Sequence, residues 1–255
     1  MLCGRKLLQS LASVHRAAAV LPRCMSTGGD QLLVDMDSKS GVAVVKLNRP
    51  PVNSFNLEFM TEINLLLEKL ETDRSCRGLI LTSSNSKIFS AGLDIMEMYN
   101  PQPDRLAEFW RTLQQMWINL YGSRLATVAA INGIIPPFWF VDSMINATGM
   151  RQAEICCEKG LMVTSEEAEK IGLVDTVVPQ QAIIENAQTE MQSWLKVPDF
   201  ARQLTKKQIR QPTLDKLLSR RDEDIQHFVQ FITKDSVQKA LGFYLEQLKN
   251  KQKKK

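Results

Sequence analysis

Val42-Ala43-Val44-Val45-Lys46-Leu47, the break at Asn48-Arg49-Pro50-Pro51, a run with Leu57, Met60, Ile63, Leu67 and Leu70 three or four residues apart, and then Gly78-Leu79-Ile80-Leu81-Thr82: this stretch decides the fold. The first six residues alternate and are rich in β-branched side chains, which predicts a strand. The two prolines fix φ and keep the residues before them out of helix. The apolar spacing that follows is that of an amphipathic helix packed on one face. The second apolar run, short and bounded by Gly78, predicts a buried strand. Strand, helix and strand in that order form a βαβ unit, the building block of a parallel sheet.

Working outward, Leu106, Phe109, Trp110, Leu113, Trp117 and Leu120 make one apolar helical face after Pro101 and Pro103, and the tryptophans there read as core. Ala126–Ile131 predicts another strand, stopped by Asn132-Gly133. Pro136-Pro137 opens a helix over Phe138–Ala147, and Arg151–Lys159 predicts another, ended by Gly160. Thr164 with Glu167 has the spacing of a capping box for a short helix ending at Gly172. Leu173–Val178 is the last strand expected. Beyond Pro179 the pattern predicts helices over Gln181–Trp194, Asp199–Arg210, Arg221–Thr233 and Asp235–Leu248.

The 255 residues are 44% apolar and 24% charged, a composition that excludes a disordered chain, and no apolar run approaches the ~18 residues that cross a bilayer. The net charge of +4 is a property of the two ends. Residues 1–24 carry four basic side chains and no acid, residues 249–255 carry five lysines and no acid, and the remainder holds 23 basic and 28 acidic residues. That balance argues against a nucleic-acid-binding face. Only His15 and His227 are present, so a His-rich metal site is excluded, a His-based triad has at most one candidate, and acid–base chemistry falls to carboxylates. Cys3, Cys24, Cys76, Cys156 and Cys157 lack C-x-x-C spacing and are expected to be reduced. Met1–Met25 is Arg-containing, acid-free and amphipathic, the pattern of a mitochondrial transit peptide. The expected organisation is a leader over 1–25, an α/β core over 26–179, a helical region over 180–248 and a basic tail over 249–255.

Four segments carry a family resemblance: Asn48-Arg49-Pro50-Pro51-Val52-Asn53-Ser54, Phe89-Ser90-Ala91-Gly92-Leu93-Asp94, Ala130-Ile131-Asn132-Gly133, and Ala168–Asp175 through Val178-Pro179. In this order they resemble the crotonase (enoyl-CoA hydratase/isomerase) superfamily. The stretches Ala201–Lys206 and Asp235–Lys239 are similar to its mitochondrial Δ3,Δ2-enoyl-CoA isomerases. The resemblance implies a crotonase-like spiral of ββα units with a helical C-terminal region, a homotrimer in the mitochondrial matrix, and an acyl-CoA substrate. It implies no metal or redox cofactor, no nucleic acid and no membrane insertion. It further implies that two backbone N–H groups hold the thioester oxygen while a Glu moves a proton from C2 to C4, shifting a 3-double bond to position 2 in β-oxidation of unsaturated fatty acids. On this resemblance the Ala91 N–H is one oxyanion donor, and Ser90, Ala91, Gly92, Leu93 and Asp94 line the substrate path. Gly92 is expected to let the backbone approach a ligand, and Asp94 to cap the following helix.

The family's second donor and its catalytic Glu have no counterpart. Asn132-Gly133 runs directly into Ile134-Ile135-Pro136-Pro137, as if a βαβ-sized block of thirty-odd residues had been dropped from the transcript or the gene model. The general base is therefore unassigned. Glu97 and Glu154 are the substitutes to weigh, and each reads better as a solvated or capping residue. His227 reads as a packed or interface histidine, and Phe243 and Tyr244 as contacts to another helix or subunit. Beside the isomerase reading stand a catalytically dead relative that binds acyl-CoA or joins oligomers, and a 2-enoyl-CoA hydratase.

Overall fold

The computed structural model describes residues 23–24, 31–129, 138–161 and 163–252. The leader apart from Arg23-Cys24, the Ala130–Gly133 motif with its join to Ile134, and the last three lysines lie outside the described residues.

Among the described residues, five strands form one mixed sheet in sequence order: β1 (Arg23–Cys24), β2 (Leu32–Asp37), β3 (Val42–Leu47), β4 (Gly78–Ser83) and β5 (Ala126–Ala129). β1, β2 and β3 pair antiparallel, whereas β3, β4 and β5 run parallel, with Val42 opposite Gly78 and Gly78 opposite Ala126. The parallel pairs need crossovers, supplied by α1 (Leu57–Thr72) between β3 and β4 and α2 (Pro103–Tyr121) between β4 and β5. Both helices bury their apolar stripes against Leu32, Val34, Ala43, Val45, Leu47 and Leu79, giving the principal core. The opposite sheet face meets α6 (Ile183–Leu195), whose Ala187 and Met191 pack on Val42, Ile80 and Ala126. That approach requires Gly78, because a Cβ there would lie 2.5 Å from the Met191 sulfur.

The remaining helices are α3 (Phe138–Thr148), α4 (Met150–Glu158), α5 (Ser165–Lys170), α7 (Asp199–Ser219), α8 (Arg221–Ile232) and α9 (Asp235–Gln252). Trp139 fastens α3 to the core: it is fully buried, with ring centroids 6.1 Å from Trp110 and 5.5 Å from Trp117. Phe228 of α8 stacks on Trp110 at 3.6 Å. Beneath these rings the Asp224 carboxylate accepts from the indole N–H groups of Trp110 (2.8 Å) and Trp139 (3.4 Å) and from the Gln114 amide (2.7 Å). α7 is held by side-chain N–H groups on carbonyls: Lys206 Nζ donates to the Leu125 oxygen (2.9 Å) and Arg210 to the Tyr121 oxygen (2.9 Å).

Most expected elements form, including the complete capping box of Thr164 and Glu167. Four differ. β1 and β2 were not anticipated, although Leu32, Val34 and Met36 alternate with exposed neighbours along β2. Leu173–Val178 is not a strand: Leu173 and Val174 N–H return to the Ala168 oxygen, and Val177 N–H is taken by the Glu169 carboxylate, so the backbone closes on α5. α7 does not end at Arg210 but continues through Pro212 to Ser219. The carbonyl that Pro212 leaves without a helical donor belongs to Gln208, an exposed residue. Among the described residues no helix is long and apolar enough to cross a membrane.

Candidate functional site

The loop Ser90–Asp94 leaves β4 and lies against the segment Asn53–Phe55 that leads into α1. Its geometry follows from which backbone groups find partners. Ala91 N–H donates to the Val52 oxygen at 2.9 Å, Gly92 N–H to Ser90 Oγ at 3.0 Å, and Asp94 N–H to the Phe55 oxygen at 2.9 Å. From Ala91 to Asp94, among the described residues, Leu93 N–H has no acceptor.

Its direction is fixed as well. The Gly92 carbonyl accepts from Phe55 N–H at 2.8 Å. A trans peptide sets its C=O and N–H antiparallel, so anchoring that carbonyl on Phe55 turns the Leu93 N–H away from the loop's own support. Ala91, read from the sequence as the oxyanion donor, has its N–H engaged within the fold. This is a correction: the free amide sits two residues further on, and the motif alone carries no signal for it, because the difference lies in long-range pairing with Val52 and Phe55. For Gly92 the backbone adds a reason of its own: its φ is +81°, which L side chains rarely adopt.

The supporting side chains of Ser90 and Asn53 are buried and hydrogen-bonded. Ser90 Oγ donates to the Asn53 oxygen at 2.7 Å. Asn53 Nδ2 donates to Ser83 Oγ (2.8 Å) and to the Phe89 oxygen (2.9 Å), and its Oδ1 accepts from Arg49 N–H (2.7 Å). Asp94 caps the 3-10 turn Ile95–Glu97 by accepting from Met96 N–H (3.1 Å), as expected, and also pairs with Arg49 at 3.2 Å.

Neither substitute base is free. Glu97 is buried and not solvated. Arg105 holds both its oxygens, at 2.9 and 2.7 Å, and Leu57 N–H donates to it as well. Glu58 joins the same guanidinium, whose proton is held more firmly than usual by the two carboxylates. Glu154 is on α4 and pairs with Arg151 at 2.7 Å. His227 is exposed and not packed. It lines a cavity of about 440 Å³ with Val141, Asp142, Lys216, Arg220 and Asp224, separate from the Ser90–Asp94 loop. Cys76, Cys156 and Cys157 are free thiols, and burial pushes Cys76 up to about 11. Among the described residues no cluster of three metal-ligating side chains occurs.

Comparison with known proteins places this arrangement. The sequence model described as enoyl-CoA hydratase/isomerase matches residues 37–135 and again 133–255, two stretches that meet where the sequence shows its abrupt join. The mouse protein named mitochondrial enoyl-CoA delta isomerase 1 is 43% identical over 255 aligned positions, covering 87% of this chain and 88% of its own length. Because 87% of these 255 residues fill those 255 positions, about 33 positions of the mouse sequence have no counterpart here. The human protein of the same name is 40% identical over 274 positions, covering 94% of this chain and 91% of its own. The crystal structure of human mitochondrial Δ3-Δ2-enoyl-CoA isomerase superposes with a TM-score of 0.84 at 42% identity, over 87% of this chain and 99% of that one.

Proposed function

This chain belongs to the enoyl-CoA hydratase/isomerase family, and we propose from that premise that it is a mitochondrial Δ3,Δ2-enoyl-CoA isomerase-type protein which binds acyl-CoA thioesters but has lost most of the isomerase reaction. The observation that carries the reading is Leu93 N–H, without an acceptor among the described residues and turned outward by the anchored Gly92 carbonyl, in the loop that the family resemblance assigns to the thioester. An N–H fixed in this way donates to a carbonyl oxygen and more strongly to the enolate oxygen formed when C2 loses a proton, without reorganising as the charge develops.

A single donor does not complete the reaction. The resemblance asks for a second amide and a carboxylate, both from the block with no counterpart here. The two carboxylates beside the loop are held by Arg49 and Arg105 and are not available to move a proton. Loss of one oxyanion donor lowers turnover by about 10²–10³ and loss of the base by about 10²–10⁴. The reaction draws on no group beyond the coenzyme A of its substrate. The amphipathic leader supports import into the mitochondrial matrix, and the apolar side chains exposed on α7 and α9 support a homotrimer.

The test is to supply the purified chain with a 3-enoyl-CoA and follow the 2-enoyl product beside a complete relative, with calorimetry of a saturated acyl-CoA in parallel. Binding with turnover reduced at least about 10⁴-fold is expected. Turnover near the relative's level overturns the loss of chemistry, and absence of binding overturns the assignment of the loop.

A further inference from the structure

Asn53 is fully enclosed and uses every hydrogen-bonding group it has. Its N–H donates to the Arg49 oxygen (2.8 Å), its carbonyl accepts from Ser90 Oγ (2.7 Å), its Oδ1 accepts from Arg49 N–H (2.7 Å), and its Nδ2 donates to Ser83 Oγ (2.8 Å) and the Phe89 oxygen (2.9 Å). It is 2% exposed and sits at φ +51°, a region Asn tolerates better than other residues with a Cβ. One side chain thus ties the segment before α1 to the end of β4 and to the start of the loop. The tie continues inward: Ser90 Oγ, oriented by donating to Asn53, accepts from Gly92 N–H (3.0 Å), while Phe55, two residues past Asn53, holds the Gly92 carbonyl and the Asp94 N–H. The peptide plane bearing Leu93 N–H is therefore gripped on both sides by groups whose relative placement Asn53 sets.

We infer that Asn53 is the positioning residue for the thioester-binding amide: its side chain clamps Arg49, Ser83 and Phe89, fixing in place the backbone carbonyl that orients Ser90, and it never touches the ligand. This rests on the reading of Leu93 N–H given above. A buried, fully satisfied polar network suits such a role because each member restricts the others, and a donor displaced by a fraction of an ångström loses much of its grip on an oxyanion.

The test uses the full chain and a saturated acyl-CoA labelled with 13C at the thioester carbonyl, read by the infrared band of the bound C=O and by the Leu93 amide resonance. The wild-type chain is expected to shift the band to lower frequency. Asn53→Gly is the informative variant: it accepts the positive φ and keeps the backbone carbonyl for Ser90, and so removes the side-chain clamp without adding backbone strain. It is expected to lose the downshift while circular dichroism shows the fold retained. Ser90→Ala, which removes only the relay, is expected to lose part of it. If folded Asn53→Gly keeps the full downshift, the inference is overturned. If Asn53→Gly does not fold, Ser90→Ala decides alone, and an unaltered band there overturns it. A wild-type chain that binds acyl-CoA with no downshift sinks the reading of Leu93 itself, before any variant is made.

Discussion

The residues before the join and those after it are folded to different degrees of closure. Among the described residues, 27 buried side chains form the principal core, 22 from Leu32–Leu125 and five from Trp139 onward. Exposed large apolar side chains run the other way, three up to Met96 and 13 from Met150 to Leu248, among them Phe200, Ile209, Phe231, Phe243 and Tyr244. The sheet with α1 and α2 buries what it has. The later helices hold to it through a few anchors and leave apolar faces uncovered. Isolated apolar residues on a surface are ordinary, but a concentration of them in one region marks a face suited to contact.

The largest test of this contrast removes an anchor. Trp139→Ala takes the ring that packs α3 on Trp110 and Trp117, and is expected to cost about 3–5 kcal/mol by urea unfolding. Phe200→Ala or Phe243→Ala, with comparable loss of aromatic surface, is expected to stay within about 0.5 kcal/mol for the dissociated chain. Equal costs at both kinds of site would erase the distinction.

Next in size is the carboxylate beside the loop. Arg105→Ala leaves Glu97 buried without its bidentate partner, with an expected loss of about 1–3 kcal/mol. Little change would mean that Glu97 turns to solvent and is open to other roles.

Another test reads the seam between the two regions through pH. Burial, reinforced by Arg210 and Arg202, lowers Lys206 from 10.5 to about 7. Between about 7 and 10.5 the unfolded chain keeps a proton that the folded chain has released, so this group makes stability rise with pH across that window. Lys206→Met is expected to flatten that part of the stability profile, and an unchanged slope would place the amine in water. Smallest of all, Arg151→Ala breaks only a surface pair on α4 and is expected to cost no more than about 1 kcal/mol.

Much of this architecture was legible beforehand. The 3.6-residue spacing of Leu57–Leu70 and Leu106–Leu120 and the two short apolar runs specified the βαβ frame. Glu167, three residues after Thr164, announced its cap. β2 carried a period-two pattern too short to stand out. Pro212 misled because a proline on a solvent face costs a helix less than one facing the core. Leu173–Val178 misled because apolar composition alone does not say whether an unpaired strand edge is within reach.

What the order of amino acids determined by itself was the family, the parallel frame, and the abrupt passage from Gly133 to Ile134, since each is a matter of local pattern. Which amide of the loop is free was decided only in three dimensions. An N–H is engaged or released by carbonyls some 40 residues away along the chain, and no reading of Ser90–Asp94 in isolation distinguishes Ala91 from Leu93.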